Sequence, residues 1–287
     1  MKYSLEVENL TKAYPNSDFR LEDVSFAIPS GTIMGFVGEN GAGKTTTISS
    51  ILNTVTKDGG TIKLFGQEMG DADYNLREDI GVVFDGANFP ESLTPNQLAK
   101  VMKGIYKRWD QALFLKITKE WNVPLHKRVK EFSRGMTMKL AIATALAHKP
   151  KLLILDEATS GLDPIVREEI LNVFLGFVED ENHSILISSH ITSDLEKIAD
   201  YITFIHQGQT ILTEKKDTLI YEYGVVRCKR EQFKMIDEAD RLAYRKKEYQ
   251  IDVLVKDKKA FKQKYGNIVV DNTSIEEIML LLIKGVR

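Results

Sequence analysis

The stretch GENGAGKTT at residues 38–46 constrains the fold of this chain more than any other feature. It fits the pattern G-x-x-x-x-G-K-[ST] and lies between the apolar run TIMGFVG and the helical pattern KTTTISSILNTV. Glycines let a backbone curl around phosphates, so that N–H groups and a helix N-terminus face negative charge. The sequence therefore predicts a strand, a phosphate-binding loop and a helix. The residues predicted to hold a nucleotide are Asn40, Gly41, Ala42, Gly43, Lys44, Thr45 and Thr46.

Three polar groups in and after this loop predict phosphate chemistry. Lys44 can reach the β- and γ-phosphates, and the hydroxyl of Thr45 suits Mg²⁺. The run LLILDE places Asp156 at the end of a buried strand, where it can hold Mg²⁺ through water. Glu157, one residue later, can orient and deprotonate an attacking water. We therefore expect a catalytic centre at the carboxyl ends of parallel strands.

His190 ends another apolar strand, ILISSHI. A lone histidine often has a structural role, which is the alternative here. Because a third strand ends in a titratable group, we expect His190 to contact the γ-phosphate.

Composition sets limits on the class of protein. The chain has 287 residues, 43% hydrophobic and 28% charged, with a net charge of −2, which gives no general argument for nucleic-acid binding. Cys228 is the only cysteine, so no disulfide can form within the chain. The longest apolar runs, AIATALA and IMLLLI, are far shorter than the roughly 20 residues of a spanning helix. The N-terminus also lacks the apolar core of a signal peptide, so we expect no membrane span.

Several changes of pattern mark the organisation of the chain. The first 80 residues predict short strands, residues 92–131 predict a helical insertion, and from residue 133 apolar strands alternate with helices. Past residue 215 the pattern predicts a small α+β region. Its last helix, in TSIEEIMLLLIKG, has Ser274 and Glu277 at the spacing of a capping box.

The stretch EFSRGMTMKL predicts the start of a further helix, with Ser133 as its cap. Ser-Arg-Gly at a helix entrance also suits an anion, because the first backbone N–H groups are free. The sequence thus holds a second candidate anion site besides the phosphate loop.

Five motifs in one order give the chain a family resemblance. The phosphate loop, FSRGM, LLILDE, SGLDP and SSHI resemble those of the nucleotide-binding subunit of an ATP-binding cassette (ABC) transporter. The resemblance covers residues 1–215 and implies an α/β fold. It implies a P-loop NTPase, RecA-like core with an antiparallel β subdomain and an inserted helical subdomain at about 86–148. Residues 216–287 are then a C-terminal α+β accessory region.

The resemblance also assigns the second anion site. FSRGM occupies the place of the family signature L-S-G-G-Q, which binds ATP held by the opposing subunit. Two chains would pair head to tail around two ATP molecules, as a homodimer or a heterodimer. Tyr14 occupies the place of an aromatic that stacks on adenine, although plain packing is the alternative. The residues that would contact the partner's nucleotide or cross the interface are Ser133, Arg134, Gly135 and Asp163.

Two positions depart from the family pattern. Asp85 stands where the family usually has a metal-binding Gln, and the nearest side-chain amide is Asn88. Since Asp is also a hard oxygen ligand, we expect Asp85 to bind Mg²⁺ or its water shell. Arg134 stands where the signature usually has Gly, and it can bind a phosphate or a partner carboxylate. These departures leave a non-hydrolysing ATP sensor as an alternative, which Glu157 and His190 argue against.

YKRWDQALF, FSRGM and the C-terminal helix resemble those of ABC-2-type exporters of Gram-positive bacteria, including exporters of amphipathic or antimicrobial peptides. This resemblance implies an ATPase with ATP and Mg²⁺ as cofactors. It would drive export through a separate transmembrane permease subunit, at the cytoplasmic face of the cell membrane. A soluble ABC ATPase acting on the ribosome or DNA is the alternative, which one cassette and no heptad run disfavour.

Overall fold

The computed structural model of the chain describes residues 2–70, 73–86 and 89–286. The strands are β1 (Tyr3–Ala13), β2 (Arg20–Pro29), β3 (Ile33–Val37), β4 (Gly59–Leu64), β5 (Gln67–Glu68), β6 (Ile80–Val83), β7 (Leu152–Asp156), β8 (Ser184–Ser189), β9 (Tyr201–His206), β10 (Gln209–Lys215), β11 (Gly224–Cys228), β12 (Ala243–Lys246), β13 (Ile251–Val255) and β14 (Val270–Asp271). The helices are α1 (Lys44–Ile51), α2 (Tyr74–Glu78), α3 (Pro95–Ile105), α4 (Gln111–Glu120), α5 (Arg134–Leu146), α6 (Pro164–Phe177), α7 (Thr192–Ile198), α8 (Lys216–Tyr221), α9 (Arg230–Met235), α10 (Lys258–Lys264) and α11 (Ile275–Lys284). One-turn 3₁₀ helices lie at Val129–Glu131 and Glu238–Asp240.

A six-stranded sheet carries the phosphate loop. Its strands run in the order β10, β9, β3, β8, β7 and β6, all parallel except β10, which pairs antiparallel with β9 at one edge. Every residue of β3, β7 and β8 is buried, as the predicted apolar runs require of strands covered on both faces. Their carboxyl ends therefore meet at one edge of the sheet.

An antiparallel sheet at the N-terminus covers one face of this parallel sheet. Its order is β2, β1, β4 and β5, and the side chains of β1 and β2 largely alternate between buried and less buried. Leu5, Val7 and Phe26 pack in one apolar cluster with Phe36 of β3 and Ile154 of β7. The N-terminal sheet and the phosphate-loop strand thus share a core.

The described residues between β6 and β7 contain helices and no strand, as predicted for the insertion. Thr94 and Gln97 form a capping box at the start of α3, and the Asp110 side chain caps α4. Helix α5 packs on two clusters: Ala141 and Ile142 face the parallel sheet, whereas Leu140 and Ala143 face α3 and α4. Helix α5 therefore connects the insertion to the core.

A third sheet, in the order β12, β13, β11 and β14, follows the parallel one in sequence. Helix α11 joins this region to the core: Ile275 and Ile278 share an apolar cluster with Leu195 of α7 and Ile187 of β8. The backbone N–H of Ile275 also donates to the Glu196 carboxylate, at 2.9 Å. The boundary predicted near residue 215 stays a prediction, since residues on both sides of it build one cluster.

No helix in the described residues is both long and apolar enough to pass through a membrane. The predicted architecture, a parallel α/β core with an antiparallel sheet and a helical insertion, agrees with the element order observed.

Candidate functional site

The loop between β3 and α1 is shaped by glycines at positions that exclude a side chain. A Cβ on Gly38 would lie 2.5 Å from the Ile205 carbonyl oxygen, and one on Gly43 would lie 2.7 Å from Leu21. Gly41 and Gly43 also have positive φ values, 81° and 113°, which favour glycine. The loop is thus held closely against β9 and β2 at the base of α1.

Lys44, the first residue of α1, is only 6% exposed. Its ammonium group donates to the carbonyl oxygens of Gly38, at 2.8 Å, and of Glu39, at 3.3 Å. It also lies 3.3 Å from the Glu157 carboxylate. A buried ammonium in this position is well placed to exchange these oxygens for those of a phosphate.

Thr45 and Asp156 meet where α1 and β7 come together. The Thr45 hydroxyl donates to Asp156 Oδ2 at 2.9 Å, and Ser188 of β8 donates to the other carboxylate oxygen at 2.5 Å. Asp156 is 4% exposed, so the two hydroxyls hold its carboxylate in a buried position. Hydroxyl and carboxylate oxygens are the hard donors that Mg²⁺ prefers, so this pair fits the predicted metal.

Thr45 and Asp156 do not belong to a larger metal-binding cluster of acidic or histidine side chains in the described part of the chain. Within residues 2–70, 73–86 and 89–286, no group of three or more His, Cys, Asp or Glu could hold a metal ion. In phosphoryl-transfer sites Mg²⁺ usually takes one or two carboxylate ligands, with water and phosphate oxygens completing its shell.

Glu157 adopts an unusual backbone conformation directly after β7. Its φ is +53°, in the left-handed region, and its N–H contacts both the carbonyl and the hydroxyl of Ser188. One carboxylate oxygen lies 2.7 Å from His190 Nδ1. Among the described residues, the buried Oε1 accepts no hydrogen bond and has only its ion pair with Lys44.

A cavity of about 260 Å³ brings most of the predicted nucleotide residues together with Glu157. Its lining residues are Phe19, Asn40, Gly41, Gly43, Lys44, Thr45, Thr46 and Glu157. A larger hollow, of about 670 Å³, includes Phe65, Asp79 and Lys151 and contains none of the predicted site residues. The smaller cavity is therefore the candidate nucleotide site.

Two predicted nucleotide residues lie outside the lining of that cavity. Ala42 is buried beneath the loop, and its carbonyl oxygen accepts from the Gly208 N–H at 2.9 Å. Tyr14 follows the end of β1, and its exposed ring lies 5.5 Å from the Lys12 ammonium. Phe19 is instead the aromatic that lines the cavity.

The α5 entrance, which we define as Ser133, Arg134 and Gly135, forms the predicted helix start. The Ser133 hydroxyl caps α5 by accepting from the Met136 N–H at 3.3 Å. A Cβ on Gly135 would lie 3.4 Å from Val166 of α6. Ser133 and Arg134 are exposed and do not line the cavity at the phosphate loop. This second candidate anion site is thus separate from the phosphate-loop cavity.

Arg134, Asp85 and Asp163 all have partners within their own chain. Arg134 Nη2 lies 2.6 Å from Asp85 Oδ1, so the two departures from the family pattern contact each other. Asp163 caps α6 by accepting from the N–H groups of Ile165 and Val166. Asn88 lies outside the described residues.

Comparison with known proteins identifies the family. The sequence model of the protein family described as ABC transporter matches residues 21–160 of this chain. The bacitracin transport ATP-binding protein BcrA of Enterococcus faecalis is 36% identical over 220 residues, covering 74% of this chain and 69% of that protein. The lantibiotic transport ATP-binding protein SrtF of Streptococcus pyogenes is 36% identical over 214 residues, covering 74% of this chain and 91% of SrtF. The chain belongs to the ABC transporter family.

A solved structure supports the fold. A dimeric ATP-binding cassette in a post-hydrolysis state, bound to ADP and Pi, superposes with a TM-score of 0.66 at 21% identity, over 74% of this chain and 98% of that one. The predicted P-loop NTPase fold and the resemblance to ABC nucleotide-binding subunits are therefore confirmed. Membership also confirms the prediction of an ATPase: the chain is an ATP-binding subunit of the ABC type.

Three features of this ABC subunit were missed by sequence reasoning. Ser188 bonds both Asp156 and the backbone of Glu157, yet the sequence shows it only as one of three serines in an apolar strand. Phe19 precedes β2 and carries no motif. His206 of β9 pairs with the Glu39 carboxylate at 3.0 Å, beside the loop. Each depends on which strands are neighbours, which local patterns do not specify.

Proposed function

We propose that the chain hydrolyses ATP to drive an exporter of amphipathic or antimicrobial peptides. The relatives BcrA and SrtF support this class of substrate, because they are transport proteins for bacitracin and a lantibiotic. The observation that carries the hydrolysis is the carboxylate of Glu157. Glu157 lines the nucleotide cavity, its Oε1 accepts no hydrogen bond from the described residues, and Lys44 and His190 hold the side chain in place.

The proposed reaction uses these groups in order. The Lys44 ammonium exchanges the Gly38 and Glu39 carbonyl oxygens for oxygens of the β- and γ-phosphates, which places its positive charge beside the reacting phosphate. Glu157 then orients a water molecule and accepts its proton. His190, paired with Glu157 through Nδ1, contacts the γ-phosphate. The backbone N–H groups of the loop and α1 stabilise the phosphate charge throughout.

Magnesium would be held by Thr45 and Asp156, whose oxygens already lie 2.9 Å apart. Bound there, Mg²⁺ neutralises charge on the phosphate oxygens. Ser188 keeps the carboxylate of Asp156 oriented through its own hydrogen bond. The contact of Asp85 with Mg²⁺ stays a prediction, since that carboxylate pairs with Arg134 here.

The nucleotide site would be completed by a second ABC subunit arranged head to tail. The α5 entrance supports this, because an exposed helix N-terminus with a hydroxyl cap suits a phosphate brought by another chain. The cavity at the phosphate loop of the same chain is lined by no residue of the α5 entrance. Ser133, Arg134 and Gly135 would therefore contact the partner's ATP, and Asp163 would lie at the interface. Whether the partner is a second copy or a related chain is left open.

Transport would require a transmembrane permease subunit encoded separately, with this chain at the cytoplasmic face of the membrane. The nucleotide-binding domain would comprise residues 1–215, with its helical subdomain at about 86–148, and residues 216–287 would form an accessory region.

The experiment compares Glu157→Gln with the parent chain in ATP and Mg²⁺. We expect phosphate release to fall at least about a hundredfold, because a general base is lost, while ATP binding persists and dimers accumulate. Size-exclusion chromatography with light scattering measures the dimer. Glu39→Gln is the matched control, since Glu39 also pairs with a histidine beside the loop but does not line the cavity. A Glu157→Gln chain that stays monomeric in saturating ATP would contradict the proposal.

A further inference from the structure

Asp85 and Arg134 flank the helical insertion. Asp85 follows β6, where the chain leaves the parallel sheet, and Arg134 is the first residue of α5, which returns to it. Although 49 positions separate them, the Arg134 guanidinium lies 2.6 Å from the Asp85 carboxylate. This ion pair, which we name the clasp, closes the base of the insertion across the two connections that tie it to the core.

The clasp also reaches the loop between β7 and α6. A Cβ on Gly161 would lie only 3.1 Å from Arg134 Cζ, so the guanidinium packs directly on the Gly161 backbone. Gly161 has a φ of +67°, which favours glycine there. Arg134 therefore contacts the end of β6 and the loop after Asp156 and Glu157 from its position at the α5 entrance.

The clasp is an exposed ion pair. It can therefore bias the orientation of the insertion against the core and still exchange one anion for another. The side chains of Arg134 and Asp85 are 47% and 51% exposed, so water screens their attraction. The buried contacts of α5 lie farther along the helix, from Met138 onwards. Opening the clasp would therefore leave the apolar packing of α5 intact.

We propose that Arg134 is a positioning residue that changes partners during closure, an inference that rests on the function proposed above. Before closure its guanidinium holds Asp85 and fixes the insertion against the core. When the triphosphate bound by the second subunit reaches the α5 entrance, the guanidinium turns to that triphosphate and releases Asp85.

Charge and geometry favour this exchange. A triphosphate carries more negative charge than one carboxylate, and a guanidinium binds phosphate oxygens through two parallel N–H groups. Arg134 lies beside the Ser133 cap, where the α5 dipole adds a positive field. The clasp thus opposes closure until a partner's nucleotide supplies a better anion. A chain with Gln at position 85 or Gly at position 134 could not form this ion pair.

The test measures ATP-driven dimerisation in chains that carry Glu157→Gln. Asp85→Asn opens the clasp but keeps Arg134, so we expect half-maximal dimerisation at an ATP concentration about two- to fivefold lower, the range that exposed ion pairs support. Arg134→Gly removes the guanidinium, and with it both contacts of the exchange. In that background, Asp85→Asn should shift the ATP requirement by less than about 1.5-fold, because no clasp remains to open and Asn keeps a side-chain oxygen where Asp85 is predicted to contact Mg²⁺.

Asp271→Asn is the matched control, since Asp271 pairs with Arg227 at 2.6 Å and with similar exposure, in the C-terminal sheet. It should leave the ATP requirement unchanged. The clasp would be overturned if Asp85→Asn changed the ATP requirement equally in chains with Arg134 and in chains with Arg134→Gly. It would also be overturned if Asp85→Asn raised the ATP requirement of the chain that keeps Arg134. Failure of the Glu157→Gln parent to dimerise would instead contradict the proposed function, so the two failures are distinguishable.

Discussion

The phosphate-loop cavity and the α5 entrance both offer a helix N-terminus to an anion, but they differ in how complete they are. At the cavity, buried Lys44 and Asp156 already have partners on neighbouring strands and loops. At the entrance, Ser133 caps its own helix and Arg134 holds an exposed carboxylate. The first is an assembled site in one chain, whereas the second presents few groups and leaves them to solvent.

Under the proposed function, this difference would let one chain divide a reaction with another. Buried groups are expensive to reorganise, so the cavity keeps its geometry before nucleotide arrives. Exposed groups exchange partners at little cost, so the entrance can respond to a second subunit. The comparison predicts that damage to the cavity abolishes binding, while damage to the entrance affects only the paired state.

The largest effect tests this division directly. Lys44→Ala should weaken ATP binding by the isolated chain and reduce phosphate release more than about a hundredfold, because it removes a charge held at the phosphates. Ser133→Ala should reduce phosphate release about ten- to a hundredfold through one lost hydrogen bond to a charged group. At protein concentrations too low for pairing, fluorescence titration should show that Ser133→Ala binds ATP within about twofold of the parent. Equal losses of ATP binding in both variants would show that the two regions form a single-chain site.

An intermediate effect sharpens the picture of the cavity. Phe19→Ala should raise the Kd for ATP about five- to tenfold, because an aromatic lining residue is available to stack on the base. Tyr14→Ala should raise it less, since Tyr14 lies outside the lining. Inorganic triphosphate, which has no base, serves as the control ligand and should bind all three chains alike. A larger loss for Tyr14→Ala would favour the role that the family resemblance implies.

The smallest effect concerns the segment just after the C-terminal end of α5, which is buried, whereas the α5 entrance is exposed to solvent. His148 is 1% exposed, stacks on Tyr106 and contacts the Ile80 carbonyl oxygen, and burial lowers its pKa below the usual 6.5. The unfolded chain therefore takes up a proton first as the pH falls below about 6.5, and the folded state loses up to about 1.4 kcal/mol per pH unit until the lowered pKa is reached.

Urea unfolding at pH 7.5 and pH 5.5 measures this loss. His148→Gln should reduce the difference in the free energy of unfolding between the two pH values. The exposed His126 offers a matched control, because His126→Gln should preserve the difference. An unchanged difference in the His148→Gln chain would show that other groups control acid stability.

Much of the cavity was predictable because its motif is local. The spacing of Gly38, Gly43 and Lys44 along a few residues specifies strand, loop and helix together. Ser188 was not predictable, because it meets Asp156 only when β7 and β8 become neighbours. The clasp was missed for the same reason: Asp85 and Arg134 were each interpreted alone, although the fold brings them together.

The fold shows a similar division. Buried strands such as β7 and β8 were predicted from their apolar runs, whereas the edge strand β12 was missed, since exposed Arg245 and Lys246 obscure its pattern. The capping box predicted at α11 forms only in part. Ser274 accepts from the Glu277 N–H, but the Glu277 carboxylate pairs with Arg227. A distant partner thus competes with a local rule.

The apolar cluster shared by α11 and α7 gives the C-terminal region a mechanical connection to the catalytic edge. Helix α7 begins two residues after His190, so a displacement of α11 would act on a helix directly next to the segment that carries this histidine. A chain shortened near residue 215 would expose Leu195 and its apolar neighbours to water. We expect such a fragment to be a poor substitute for the longer chain, because the last helix covers apolar side chains of α7 and β8 close to His190.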